Sequence, residues 1–296
     1  MYLIRYCLTF GCNPQVRAGW QSTPRSLEMT ERRIGKARPV PGPMDPLDER
    51  RYVIEPTVRR VRVQSGNEIV ADSIQVQLLF ETGRLPVYYF PRGDVRMDLL
   101  AGSGRQKHDD VKGTTKYFDV KVAGRRGIDG AWICEGDPDH GPDISGLVAF
   151  DWNKMDRWFE EDEEVFVHPR DPYHRVDTLE SSRHIEVFVD DVKLADSQRP
   201  VMLLETGLPA RFYLPKMDVR LDLLERNITH TSCPYKGVAD YWNVRTEKGL
   251  VEALVWGYER PIPEIPKIAG RLCFFNEKID LRIDGEPQVR PRTKWS

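Results

Sequence analysis

Between Thr231 and Trp242 the chain reads Thr-Ser-Cys-Pro-Tyr-Lys-Gly-Val-Ala-Asp-Tyr-Trp, which gathers a thiol, an amine and two phenols just ahead of an apolar strand pattern. A lysine ammonium beside a thiol lowers the thiol pKa and makes it a better nucleophile, and a neighbouring tyrosine can pass a proton. Cys233 is therefore the candidate nucleophile, Lys236 its activator or a Schiff-base amine, and Tyr235 a proton carrier. The plainer alternative makes Cys233 a small buried hydrophobe, Pro234 and Gly237 the corners of a turn, and Tyr241 and Trp242 core. His230 lies close enough in sequence to join Cys233.

A second polar concentration runs from His168 to His184, HPRDPYHRVDTLESSRH. It is too rich in His, Arg and Asp for a flexible spacer, and its prolines confine it to extended shapes. His174 is a candidate general base, and Arg170 and Arg175 could hold a carboxylate or phosphate through paired hydrogen bonds. Interdomain ion pairs are the competing use of the same residues. Glu81 and Glu205, each followed by Thr-Gly, are candidate pocket carboxylates, or strand-end residues bonded to backbone N–H groups. Arg96 with Asp98, and Arg220 with Asp222, recur at one spacing and suit internal ion pairs as well as a ligand.

These candidates sit in a chain that repeats itself. Shifting the sequence by 124 residues lays Val61–Val165 over Ile185–Val289 without a gap, so VADSIQVQLLFETG meets LADSQRPVMLLETG and VYYFPRGDVRMDLL meets RFYLPKMDVRLDLL. Trp132, Glu135, Pro142, Gly146, Phe150, Lys154 and Asp156 then meet Trp256, Glu259, Pro266, Gly270, Phe274, Lys278 and Asp280. A period this long is a whole domain per copy rather than a solenoid unit. Two tandem domains follow, in agreement with a length of 296 residues. The expected boundaries are a Pro-rich, loose extension over 1–57, a first domain over 58–166, a connector over 167–182, a second domain over 183–290 and a tail over 291–296.

Within each copy the signals are short strands bounded by Gly, Pro, Asp or Asn: Gln77–Phe80, Val87–Phe90, Tyr117–Val122, Ala131–Cys134, Leu147–Phe150 and Met155–Phe159, with a hairpin around Ser65-Gly66-Asn67. The one helical signal is Asp94–Leu100, repeated at Asp218–Leu224, where Asp94 or Asp218 would cap a short helix. Strands without alternating long helices predict a mostly β fold of antiparallel sheets, with one short helix per domain.

At the Lys112-Gly113 turn of copy one the thiol is replaced by Asp109, while Lys112, Gly113 and Tyr117 remain. Chemistry that depends on Cys233 and Tyr235 can occur only once per chain, so the second copy is the expected working site.

The 44 Lys and Arg against 46 Asp and Glu leave a net charge of −2, and no basic stripe is interleaved with aromatics, which argues against nucleic acid. No run of about 18 apolar residues exists to span a bilayer as a helix. Five cysteines without a Cys-x-x-Cys pair suggest neither a disulfide framework nor structural zinc, and fit a reducing cytoplasm. Residues 1–60 hold eleven Lys and Arg against six Asp and Glu, and Met29 offers an alternative start. The chain lacks Gly-rich phosphate loops, Gly-x-Ser-x-Gly elbows and His-Glu-x-x-His pairs, so no cofactor and no metal are expected.

The combination of L-L-E-T-G-L-P, R-F-Y-L-P-K-M-D-V-R-L-D-L-L, C-P-Y-K-G-V-A-D-Y-W and the connector H-P-R-D-P-Y-H-R-V-D with S-S-R-H resembles domain-of-unknown-function family 427, from about Val58 to Val289. The resemblance implies two β-tent-like domains, a scaffold shared with zinc-binding and methionine-sulfoxide-reducing domains. This chain departs from those relatives in having no Cys-x-x-Cys pairs and no second thiol near Cys233.

The expectation is thus a cytoplasmic protein that binds a small anionic metabolite, a carboxylate or acyl compound. The pocket would be built from Cys233, Lys236, Tyr235, Tyr241, Arg220, Asp218 and Glu205 and completed by His174, Arg170 and Arg175, with Lys112 at the degenerate counterpart. The competing class is a noncatalytic module whose tandem sheets present a partner surface.

Overall fold

The computed structural model describes residues 52–136, 141, 143–293 and 296. Cys7, Cys12, Met29 and the Pro-rich stretch from Pro39 to Pro46 lie outside them. The first domain runs β1 (Tyr52–Pro56), β2 (Val61–Ser65), β3 (Glu68–Ser73), β4 (Gln77–Glu81), β5 (Val87–Phe90), β6 (Leu100–Asp109), β7 (Gly113–Val122), β8 (Arg125–Glu135), β9 (Val148–Phe150), β10 (Arg157–Glu160) and β11 (Glu163–Val165). The second runs β12 (Val176–Glu180), β13 (Ile185–Val189), β14 (Val192–Ser197), β15 (Val201–Glu205), β16 (Arg211–Pro215), β17 (Leu224–Cys233), β18 (Gly237–Thr246), β19 (Gly249–Gly257), β20 (Arg271–Phe274), β21 (Asp280–Ile283) and β22 (Glu286–Pro287).

Each domain pairs a seven-stranded sheet with a four-stranded one. The orders are β1-β4-β5-β9-β8-β7-β6 and β11-β10-β2-β3 in the first, and β12-β15-β16-β20-β19-β18-β17 and β14-β13-β21-β22 in the second. Every strand pair is antiparallel. Among the described residues no helix is long and apolar enough to cross a membrane.

The pleat explains the apolar runs in β4 and β5. Leu78, Tyr88 and Phe90 point between the sheets, into a core with Val61, Val63, Phe150 and Trp158. Leu79 and Tyr89 point to the opposite face, where they pack with Cys134, Ile144 and Ala149. Period-two alternation in a strand buried on both faces leaves no polar positions, hence Leu-Leu-Phe and Tyr-Tyr-Phe. The second domain repeats this, with Phe212 and Leu214 inward and Tyr213 outward. That outer face carries the candidate site.

Four sequence expectations change. Asp94–Leu100 is not one helix but two single 3-10 turns, Arg92–Asp94 and Met97–Leu99, with Lys216–Asp218 and Leu221–Leu223 in the second domain. Val95 and Val219 between them are extended, bridge Ala71 and Ala195, and anchor in the cores. Neither Asp94 nor Asp218 caps a helix; their carboxylates accept from the Ser73 and Ser197 hydroxyls at 2.6 and 2.7 Å.

Tyr52–Pro56 is an ordered edge strand paired with β4, and Val176–Glu180, inside the expected connector, is its counterpart on β15. No strand signal falls on β6 and β17, because these outermost strands are largely exposed and polar and show no alternation. Finally, the repeat is not free of gaps. Phe150 faces Ala131 as Phe274 faces Val255, but Trp158 faces Val63 where Leu281 faces Val187. The offset drops by one after Met155 and Ile279, both buried, so Asp156 has no partner and Asp280 stands where Arg157 does. A one-residue slip in a strand turns every side chain over, so the core face of β10 and β21 sets the true register.

Candidate functional site

Lys236 lies in the turn joining β17 to β18, and its ammonium is held by the Glu205 carboxylate at the end of β15. The other Glu205 oxygen meets His174 Nε2 at 3.0 Å. The His174 ring stacks on Tyr235 at 4.1 Å and 24°, and the Tyr235 hydroxyl accepts the Asp171 N–H at 2.7 Å. His168 meets the same Tyr235 ring edge-on at 5.8 Å. Burial pushes the Tyr235 phenol up to about 12. Burial also opposes ionisation of Glu205, but hydrogen bonds from His174 and Lys236 outweigh it and hold the carboxyl below its usual range.

The structure thus brings together His174, Tyr235, Glu205 and Lys236, and it does so by seating the connector on the second domain. The same connector touches the first domain, where Tyr173 donates to Glu55 and packs on Phe80 with ring centroids 5.8 Å apart. The remaining sequence candidates are engaged elsewhere. Arg220 pairs with Asp222 at 2.6 Å on an exposed turn, Arg170 with Glu264 at 3.2 Å and Arg175 with Asp177 at 2.8 Å. Asp218 binds Ser197 and Arg199, and the Tyr241 and Thr231 hydroxyls share a hydrogen bond of 2.8 Å. Cys233 is half-buried at the end of β17, opposite Gly237, while the Lys236 amine points to Glu205.

Tyr235→Phe keeps the stack and removes the acceptor for the Asp171 N–H. It is expected to cost about 0.5–1.5 kcal/mol locally, read as roughly fivefold or faster amide exchange at Asp171 by NMR. Unchanged exchange would mean that the connector is anchored without this bond.

The counterpart in the first domain keeps the lysine–glutamate pair, with Lys112 Nζ 2.8 Å from Glu81 and Arg84 on the other oxygen at 2.9 Å. Asp109, standing where Cys233 does, accepts the Val111 and Lys112 N–H groups at 3.0 Å each, an Asx turn that explains the exchange of thiol for carboxylate. Five residues recur in both copies: Glu81 and Glu205, Tyr89 and Tyr213, Lys112 and Lys236, Tyr117 and Tyr241, Trp132 and Trp256. In each, the tryptophan N–H donates to the buried tyrosine, at 3.2 Å from Trp132 to Tyr89 and 3.1 Å from Trp256 to Tyr213. Burial drives both phenols far above their usual range.

The two copies differ in what lies over this floor. The first domain has a cleft of about 340 Å³, with Glu81, Lys112, Tyr89, Trp132 and Cys134 among its lining. In the second, Phe275 packs on Trp256 with centroids 4.4 Å apart, and the Arg211 guanidinium lies 5.5 Å from the same ring. Glu277 clamps Arg211 at 2.8 and 2.7 Å. At the matching positions the first domain carries Asp151, Val87 and Asn153, so Val87 and Asp151 line an opening where Arg211 and Phe275 fill a space.

The cleft lining carries five cations, Arg84, Arg105, Lys107, Lys112 and Lys154, against four carboxylates, Glu81, Asp109, Asp129 and Asp151. Arg84 and Lys112 share Glu81, Arg105 pairs with Asp129 at 3.0 Å while lying 4.4 Å over Tyr117, and Lys154 pairs with Asp151 at 3.4 Å. Lys107, also in the lining, has no ion pair among the described residues. Sequence reading missed Tyr89, Arg105, Lys107 and Cys134; for Tyr89 the available signal was its place among the five residues shared by the copies, outweighed by the density of reactive types around Cys233, while Arg105, Lys107 and Cys134 have no identical counterpart to mark them. On the second domain's four-stranded sheet, His184, Glu186 and Asp196 offer ligand atoms within 4.8 Å of one another. Lys193 already occupies those carboxylates, at 2.6 and 2.8 Å.

A family model described as a domain of unknown function (DUF427) matches twice, over residues 53–161 and 177–285. No curated protein matches the chain.

Proposed function

Since the chain belongs to the DUF427 family and carries two copies of its domain, we propose that the copies have divided their roles, the first binding a small anionic molecule and the second holding the connector. The supporting observation is the open cleft over Glu81, Lys112, Tyr89 and Trp132, at the place that Phe275 and the Arg211–Glu277 pair fill in the other copy. A concave site with an aromatic floor and a few convergent polar groups is the usual form of a small-molecule site. The excess of one cation over the four lining carboxylates, with Lys107 outside the ion pairs, favours a carboxylate or phosphate.

The test is a panel of acetate, succinate, citrate and inorganic phosphate, followed by thermal stability and tryptophan fluorescence. At one hundred times its dissociation constant a bound ligand adds about 2.7 kcal/mol of stability. Copying the second domain's filling into the first, Val87→Arg with Asp151→Phe and Asn153→Glu, is expected to weaken binding at least tenfold. Lys236→Ala is expected to leave affinity unchanged. The reverse pattern would move the site to the second domain, and no binding by any anion would favour the interaction-module reading.

A further inference from the structure

The inter-sheet space of the second domain carries a separate feature that does not depend on the first-domain cleft. In the first domain Trp152 and Trp158 stack at 4.5 Å and 5°, with Trp158 also 6.2 Å from Tyr88, Trp158 within the core between the sheets and Trp152 packed against it. The strand register places Leu281 where Trp158 stands, and the repeat places Asn276 where Trp152 stands. Two indoles have been replaced by an amide and an isobutyl group.

The volume they would occupy has not collapsed. A groove of about 240 Å³ lies there, walled by Met202, Phe212, Leu281, Ile283, Pro209 and Pro291. Met202 and Phe212 match Leu78 and Tyr88, the residues that surround the indole pair in the first domain. The groove opens to solvent at a rim that includes the exposed Val289. An apolar cavity of about 150 Å³ already suffices for benzene, so this one has room for a second fused ring. Among the described residues Arg183 is the one charged side chain in its lining, half exposed, with its Nε 3.9 Å from Asp284 and so able to turn to a ligand. Asn276 is turned aside, its amide donating to the Ala210 carbonyl at 3.0 Å.

We propose that this groove binds a planar bicyclic aromatic acid, the ring filling the space that the first domain fills with its own tryptophans and the carboxylate meeting Arg183. The first domain supplies the template for the ring, and Arg183 supplies the partner for the acid.

The probe is indole-3-acetate, titrated into the full chain labelled at its methionine methyl groups, with indole as the neutral comparison. A saturable shift of the Met202 methyl resonance is expected with both, from the ring current of a seated aromatic. Arg183→Ala is expected to weaken indole-3-acetate at least tenfold and leave indole unchanged. Asn276→Trp with Leu281→Trp, which restores the first domain's filling, is expected to abolish the shift with both. The Val87→Arg, Asp151→Phe, Asn153→Glu protein is expected to bind the probe like the wild type, which separates this groove from the first-domain cleft. No Met202 shift at millimolar probe, or equal affinity in the refilled variant, overturns the proposal; equal loss of indole and indole-3-acetate in Arg183→Ala overturns the assignment of the acid. If the double tryptophan variant does not fold, the Met202 shift in the wild-type chain decides.

Discussion

Arg211→Ala is expected to destabilise the second domain by about 3–5 kcal/mol, because it strands a buried carboxylate without its partner. The Arg211 side chain is 6% exposed and Glu277 is fully enclosed, and two parallel hydrogen bonds join them. Thr293 donates a third, at 2.6 Å, which ties the segment after β22 to the same carboxylate. Urea unfolding at neutral pH reads the loss. Replacing both partners by the first domain's residues, Arg211→Val with Glu277→Asn, is expected to cost less than the single change, since no unpaired charge remains. A single-variant cost under about 1 kcal/mol would show that water reaches the pair and screens it.

The same pair carries a pH dependence whose sign is fixed. Burial penalises the Glu277 charge, but hydrogen bonds from Arg211 and Thr293 overcome it and hold the carboxyl at about 2, against an ordinary 4.5. A carboxyl depressed in the folded state adds stability that is complete above its ordinary value and is lost as pH falls towards about 2. Wild-type stability is therefore expected to drop between pH 4.5 and 2 more steeply than that of Arg211→Val with Glu277→Asn. Parallel curves would remove the pair from the acid response.

Gly113→Ala is expected to have the second largest effect, about 2–5 kcal/mol from left-handed backbone strain and overpacking combined. Gly113 has φ +68°, and a Cβ there would sit 2.4 Å from the Glu135 carbonyl oxygen, a backbone atom that cannot rotate away. Gly104 provides the comparison, with φ +81° and open space around it, and its change to alanine is expected to cost about 1–2 kcal/mol from the backbone alone. Gly237, the counterpart of Gly113, has φ +101° and 3.1 Å to the Arg260 carbonyl, and is expected to fall between them. Thermal denaturation of the three variants gives the order. Equal costs for Gly113 and Gly104 would mean that β8 yields to the methyl group. Because Lys112 precedes Gly113, the first of these variants should also disturb the Lys112–Glu81 pair and the cleft.

This result separates two readings of the shared Lys-Gly turn. Glycine is demanded by the backbone, through positive φ in both copies and the close carbonyl in each. Lysine is retained for the glutamate across the sheet, Glu81 in one copy and Glu205 in the other. Strands with one or two buried faces were readable because burial imposes a period or an unbroken apolar run, as in β2, β4 and β5. Strands β6 and β17 were not, since a largely exposed edge strand carries no such pattern. The 3-10 turns were misread as a helix because Asp-Val-Arg-Met-Asp-Leu-Leu has helix-like spacing, and only the bridge from Val95 to Ala71 forces the break.

By itself the amino-acid sequence determined that two copies of one β domain follow each other, where their hairpin and Lys-Gly turns fall, and that Tyr235, Lys236 and His174 are unlike ordinary loop residues. Each of those features is local or is a comparison of the chain with itself. Which copy carries an open cleft over the shared floor was decided only by the tertiary structure. Val87, Asp151 and Asn153 in the first domain, and Arg211, Phe275 and Glu277 in the second, come from separate segments whose side chains meet only when the seven-stranded sheet is assembled. Tertiary packing likewise decided that His174 and Tyr235 serve each other. A stack of two rings and a shared glutamate need the connector folded back over β15, and no spacing along the chain records that approach.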